Sequence, residues 1–378
     1  MDLRLRPVVS STPTVSRNAY IAQQREAHGR KAVAVLPIHY PKELLTALGV
    51  LAVEMWGPPG APRGDGAGRI QAYVCSVVRN AMAFLGSGGA DAVDGVLFPH
   101  TCDSIQGLAT LAPDFGGWGK EAFTFLHPKG PERPSARLYL DGELRSLARR
   151  LEVFTGRTLD DARLAGAIRL HAEIDAARAG LLDARQGLAV GDPELYALLR
   201  RGEWLWPEEH LAELREFRRR FPDGSGRAGV PVLVSGYVPE PPSLLRILND
   251  AGAWVAADDF AAVGRRVVRR VPTAADPWNA LQERYWAAPP CSTRSADPDA
   301  RVNHVLGLLD RSGARGAILQ VVKFCEPELF DVPLLRRAFA ARGVPVLYLE
   351  GELEAELSGQ TVTRIEAFVE MLAAGRAA

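Results

Sequence analysis

The chain has 378 residues, 47% of them hydrophobic and 24% charged, with 45 Lys and Arg balanced by 45 Asp and Glu. That length holds two domains of about 100–200 residues each, and the composition is that of a folded globular protein rather than a disordered one. The even charge leaves no basic surplus for nucleic acid and no acidic tail, so no nucleic-acid partner is expected.

In chain order, residues 1–30 read as a polar, partly helical arm, and MDLRLRPVVSSTPTVSRNAY lacks the apolar core of a signal peptide. KAVAVLPI (31–38) is a short buried strand ending at a turn, and KELLTALGVLAVEMWG (42–57) begins as a helix before a second apolar run. PPGAPRGDGAG (58–68) is a loop by its Pro and Gly content. RIQAYVCSVVRNAMAFL (69–85) has helical spacing, which puts Cys75 in or just before a helix. GSGG (86–89) follows that helix rather than a strand, and reads as a turn. GVLFP (95–99) is the next strand, CDSIQGLATLA (102–112) a helix starting at Cys102, and AFTFLHP (122–128) another strand.

From Gly142 to about Phe221 the pattern becomes Leu/Ala/Arg-rich at helix period, with short connections. Strand signals then return in VPVLVSGY (230–237), AWVAA (253–257), GAILQVV (316–322) and VPVLYLEG (344–351), with helices among them. Short apolar strands alternating with helices indicate parallel sheets covered on both faces. The expectation is an α/β fold of two Rossmann-like domains, doubly wound around mainly parallel sheets. An arm (1–30) leads into a first α/β domain (31–141); a helical segment (142–225) joins it to a second (226–378).

No stretch approaches the about 18 consecutive apolar residues of a membrane span, so no membrane partner and a cytoplasmic location are expected. The four cysteines should then be reduced thiols, open to metal or catalytic roles. Cys102 follows GVLFP and Cys325 follows GAILQVVKF, both at the carboxyl end of a buried strand, where open α/β sheets collect ligands. Three thiols leave one metal position open, as in catalytic sites; buried cysteines acting as small hydrophobes are the competing account. Cys291, in PPCSTRSADP, reads as a bystander in a surface loop, with a fourth-ligand role as the alternative. The chain has no G-x-x-x-x-G-K-[ST] loop and no G-x-G-x-x-G after a strand.

His39 and Glu43 flank Pro41 at the end of the first strand, where substrate would be handled; Glu43 is equally a dipole partner at a helix start. His100, two residues before Cys102, is a candidate proton donor or a satisfied core histidine. Asp258 and Asp259, after the AWVAA strand, read as a loop ion pair with Arg265 or Arg266, with two carboxylates sharing a proton as the alternative. The basic runs at 218–220 and 265–270 read as solvated faces. Gln360, Thr361 and Arg364 open the last helix, with Arg364 a candidate for the mouth of a substrate cleft.

The stretches LPIHYPKELLTALGV, AYVCSVVRN, DAVDGVLFPHTCDSIQ, VSGYVPEPPSLLRILNDAGAWVAADDFAAVGRR, VVKFCEPELFDVPLLRRAFAARGVPVLYLEGE and SGQTVTRIEAFVEML, in this order, resemble the iron–sulfur subunits of the 2-hydroxyacyl-CoA dehydratase and benzoyl-CoA reductase family. The resemblance covers about residues 31–375 and leaves the helical middle generic. It implies that Cys75, Cys102 and Cys325 hold a [4Fe–4S] cluster, with a double-cubane [8Fe–9S] variant in a homodimeric branch of the family. It also implies a separate ATP-dependent activator that supplies one low-potential electron, and a sister cluster subunit or a second copy of the chain as partner. The substrate implied is an acyl-CoA, dehydrated through a ketyl radical or reduced at an aromatic ring. A paralogue that has kept the fold as a non-catalytic electron relay or scaffold is the alternative.

Overall fold

The first sheet is built from Lys31–Val35 (β1), Val50–Glu54 (β2), Gly95–Pro99 (β3) and Glu121–Phe125 (β4), all parallel, in the order β2-β1-β3-β4. The second uses Val230–Gly236 (β5), Ala253–Phe260 (β6), Gly316–Val322 (β7) and Val346–Gly351 (β8), parallel again, in the order β6-β5-β7-β8. The same strand order thus occurs twice, and each half is a Rossmann-like unit. The computed structural model describes residues 16–57, 70–115, 118–224, 226–294, 297–354 and 356–375. The loop expected at 58–68 and the first half of the expected N-terminal arm lie outside the described residues.

The helices are Arg17–His28 (α1), Lys42–Ala47 (α2), Ser76–Gly86 (α3), Asp103–Phe115 (α4), Pro134–Thr155 (α5), Asp161–Ala184 (α6), Asp192–Arg201 (α7), Pro207–Arg220 (α8), Ser243–Asp250 (α9), Pro277–Ala287 (α10), Pro298–Ser312 (α11), Glu326–Ala341 (α12) and Gly359–Ala374 (α13). Four of them, α5, α8, α10 and α11, begin with proline, whose missing N–H costs nothing in the first turn. The helical middle starts at Pro134, eight residues before the expected Gly142. Gly142 sits inside α5 with open space around it, where glycine is tolerated rather than helix-breaking.

Strand side chains alternate between two apolar layers. Val33, Val35 and Leu97 face one core with α2, α5 and α6, while Ala32, Ala34, Val96 and Phe98 face another. That second core also holds Val232, Val234 and Ile318 of the second sheet, so the two domains share one apolar interior. Leu233, Ala317 and Leu319 close the far side of the second sheet against α11 and α12. The helix α10, which the sequence pattern did not reveal, leaves the second domain and packs Ala280 and Leu281 into the first domain's outer core.

Polar ties fix the two halves against each other. Arg266 pairs with Glu54 across the boundary. Arg79 of α3 reaches Glu352 at 2.6 Å, and Ser76 Oγ accepts from the backbone N–H of Leu353 at 2.8 Å. These contacts draw the start of α3 over the carboxyl end of the second sheet.

Candidate functional site

Three of the four cysteines stand where a strand or loop turns into a helix. Cys75 is the N-cap of α3, Cys325 is the N-cap of α12, and Cys102 immediately precedes α4. Cys102 and Cys325 follow β3 and β7, the strands beside β1 and β5, where the strand order of each sheet reverses. Ligands of open α/β sheets bind outside that point. Cys75 and Cys325 are buried and Cys102 partly so. Burial pushes the Cys75 thiol up to about 11, against the pull of the Val78 and Val77 amides at the helix start. Burial likewise raises Cys102, opposed by the amides of Ile105 and Ser104, and it raises Cys325 well above the ordinary thiol range.

Cys75, Cys102 and Cys325 lie near enough to one another for each to bear on another's titration. Burial raises the Tyr237 hydroxyl well above the usual phenol range, and ionisation of any of Cys102, Cys325, Cys75 or Cys291 would raise it further. One phenol therefore feels all four thiols, including the pair separated by more than two hundred residues. Among the described residues no three His, Cys, Asp or Glu side chains stand close enough to hold a single metal ion. A multi-iron cluster distributes its cysteines over several metal atoms, so it asks for thiols around a space rather than around a point. Apolar burial, three helix N-termini and their amides suit such an anionic group, because those dipoles favour negative charge.

Backbone strain gathers at the same strand ends. Among the described residues, Ile38 (φ 66°), His39 (φ 55°) and Phe324 (φ 63°) are the non-glycine residues with positive φ. A β-branched residue such as Ile38 is rarely found there, and such strain clusters at functional sites.

His39 shares a 2.8 Å hydrogen bond with Thr293 Oγ1, and Thr293 Oγ1 lies 3.1 Å from Cys291 Sγ. Its ring meets that of His127 edge-on at 5.2 Å, and His127 Nδ1 is 2.9 Å from the Tyr285 hydroxyl. Burial, His127 and Arg294 hold His39 well below the usual histidine range, so it is neutral at pH 7. His100 is set apart from this relay: its Nε2 is buried without a hydrogen-bond partner, and Asp103 Oδ1 lies 3.6 Å away. Lys129 Nζ donates to the Thr101 carbonyl at 2.8 Å and brings a cation beside Cys102.

Glu43 has a fixed partner. Arg284 Nε donates to its Oε1 at 2.8 Å, and the same guanidinium donates to Asp175 Oδ2 at 2.7 Å. Burial pushes the Glu43 carboxyl up, but Arg284, His171 and Lys42 outweigh it and leave the group at about 2. The Arg284 pair keeps Glu43 an anion at neutral pH. Asp259 pairs with Arg265 and Arg301, and Asp258 with Arg185, all buried on or against β6. The aspartates are thus strand residues, not loop residues. Gln360 and Thr361 open α13, whose cap is Ser358, and Arg364 donates to the Tyr348 carbonyl at an exposed edge.

Two expectations are corrected. Cys291 is not in a surface loop: it is 1% exposed, because Arg294 gathers the carbonyls of Tyr285, Ala288 and Pro289 and folds the Pro289–Pro290 turn inward. Arg265 and Arg266 are not on a solvated face, since each answers a buried carboxylate, Glu328 and Glu54 respectively. Sequence reasoning also missed Tyr237, Arg284, Tyr285 and Thr293. The signal for α10 was present: Asp276 before Pro277 is an N-cap and first-turn proline, and the Asp276 carboxylate accepts from the Asn279 N–H at 2.8 Å.

The family model for the 2-hydroxyglutaryl-CoA dehydratase D-component matches residues 37–372. The chain belongs to that family. It is 25% identical over 369 residues to the lactoyl-CoA dehydratase subunit beta of Anaerotignum propionicum, covering 96% of each chain. It is 26% identical over 382 residues to the (R)-2-hydroxyglutaryl-CoA dehydratase subunit beta of Acidaminococcus fermentans, covering 96% of this chain and 97% of the other. A benzoyl-CoA reductase subunit of Thauera aromatica is 28% identical over 353 residues, 89% of each. These relatives are enzyme subunits, and both chemistries occur among them. Among the described residues no helix is long and apolar enough to cross a membrane.

Proposed function

We propose that this chain is a cluster-bearing subunit of a CoA-thioester enzyme, fed with low-potential electrons by a separate ATP-dependent activator. Its reaction is dehydration of a 2-hydroxyacyl-CoA or reduction of an aromatic acyl-CoA. The observation that carries the reading is the placing of Cys75, Cys102 and Cys325 at helix starts, two of them after the strand ends where each sheet's order reverses, in a family whose members are named for acyl-CoA chemistry. Those three cysteines would hold a [4Fe–4S] cluster, which supplies one-electron chemistry when bound.

The chain's own residues do the rest. The helix-start amides of Val77, Val78, Ser104 and Ile105 favour thiolate over thiol and steady the negative charge. Tyr237 and the apolar interior exclude water, while His39, neutral and bonded to Thr293, has an N–H positioned to be given or shared at the strand end. No nucleotide-binding motif is present in the sequence, which supports assigning ATP hydrolysis to another protein.

The test is reconstitution of turnover. The chain, a partner subunit and the activator are combined anaerobically with a 2-hydroxyacyl-CoA or benzoyl-CoA, and each component is omitted in turn. Turnover is expected only with all of them and ATP. Turnover by the chain alone, with a mild reductant and no ATP, would overturn the proposal.

A further inference from the structure

Tyr237 is the first residue after β5, and Cys325 follows β7, the strand that pairs with β5 where the sheet order reverses. The Tyr237 ring meets that of Trp56 edge-on at 5.2 Å, across the domain boundary. Gly57, next along the chain, has φ 71° and lies so close to α3 that a Cβ there would stand 2.5 Å from the Val77 carbonyl oxygen. Asn80 Nδ2 holds the same approach by donating to the Gly57 carbonyl at 3.1 Å. Val77 is two residues beyond Cys75. These contacts put the phenol in the layer between the strand end bearing Cys325 and the helix start bearing Cys75.

Tyr237 is 4% exposed, and its hydroxyl makes no hydrogen bond among the described residues. Tyr20, Tyr40 and Tyr285, by contrast, donate theirs to Glu209 at 2.7 Å, Glu54 at 2.8 Å and the Pro128 carbonyl at 2.9 Å. A buried hydroxyl without an acceptor is unfavourable, and native structures supply one. The groups that bear on this phenol are the thiols of Cys102, Cys325, Cys75 and Cys291. A neutral thiol is a weak acceptor; an anionic sulfur on iron is a strong one, because hydrogen bonds to charged groups are shorter and stronger.

We propose that the Tyr237 hydroxyl is a positioning group for the thiol centre, donating a hydrogen bond to a sulfur of the cluster or of its cysteines and thereby raising the cluster's reduction potential. The inference rests on the cluster reading and adds to it the residue that sets how readily the cluster takes its electron. Reduction adds one electron and one negative charge, and a donor aimed at sulfur favours the more negative state. The proton stays on the Tyr237 oxygen throughout.

The experiment is an EPR-monitored redox titration of the anaerobically reconstituted full chain, with iron and sulfide per chain measured first. Tyr237→Phe keeps a ring against Trp56 and removes only the hydroxyl. At a fixed potential its reduced-to-oxidised ratio is expected to fall about tenfold, a shift of about 59 mV to lower potential. Placing 3-fluorotyrosine at position 237, a more acidic donor of nearly the same shape, should move the potential upward, a reversal that a purely steric role would not give. Equal potentials in the unsubstituted chain and the fluorotyrosine protein, or in the unsubstituted chain and Tyr237→Phe at equal iron loading, would overturn the proposal and leave the cluster reading standing. No cluster in the unsubstituted chain would overturn both.

Discussion

Cys102 and Cys325 stand at the same station of two sheets with the same strand order. Each leaves the strand next to its sheet's first strand, and each leads directly into a helix. Two structurally equivalent positions thus face one interior, and Cys75 joins them because α3 is tied to the segment after β8. The arrangement makes the thiol centre a joint product of both domains, so contacts that set the domains against each other also set the site.

Arg284 tests that coupling of packing and charge. It is 3% exposed and holds Glu43 from α2 and Asp175 from α6 at once. Arg284→Met leaves two buried carboxylates without their partner, a loss of about 3–5 kcal/mol. Urea denaturation should show a midpoint lowered accordingly. Adding Glu43→Gln should recover part of it, since one uncompensated charge is then removed.

Acid stability follows from buried histidines. Burial lowers His127 and His171 to about 3 and puts His39 and His210 well below the usual range. The unfolded chain binds these protons near pH 6.5 and the folded chain does not, so stability is present above that pH and declines as pH falls below it. At pH 5.5 each such histidine costs about 1.4 kcal/mol. Melting temperature is therefore expected to drop from about pH 6.5 downward, ahead of the range where carboxylates alone would act. A flat profile between pH 6.5 and 5 would show that these imidazoles are not buried neutral.

Much of the fold was legible in the sequence because β1, β3, β5 and β7 are covered on both faces. They read as short runs dominated by Val, Leu, Ile and Ala. The thiol settings were legible for the same reason, since each strand ends abruptly in a polar turn. The ionic scaffold was not. Arg265 finds Glu328 63 residues away, Arg266 finds Glu54 at a separation of 212, and Arg284 finds Glu43 at 241. Pairing at those distances leaves no local pattern, so buried arginines looked like a solvated run. Helix α10 was missed despite its Asp276–Pro277 start, because its Arg284 is buried and its aromatic side chains are only half covered, which blurs its apolar face.

His39 and His100 separate by the same logic. His39 is embedded in the Thr293, Cys291 and His127 network, while His100 has an unpartnered Nε2 near Cys102. Removal of a positioned proton donor typically costs about 10²-fold or more in rate. His39→Ala and His100→Ala should each lower turnover on that scale with iron content unchanged. Full turnover in both variants at full iron loading would take both histidines out of the site.

The central claim is that Cys75, Cys102 and Cys325 are iron ligands and Cys291 is not. Its most direct measurement is iron and acid-labile sulfide per chain after anaerobic reconstitution, with the EPR spectrum of the reduced protein, for the unsubstituted chain and four single Cys variants. The account predicts about four irons and four sulfides per chain, a cluster signal, and loss of both in Cys75→Ser, Cys102→Ser and Cys325→Ser. It predicts near-full loading in Cys291→Ala. Full loading in any of the three serine variants, or no iron in the unsubstituted chain, would contradict it.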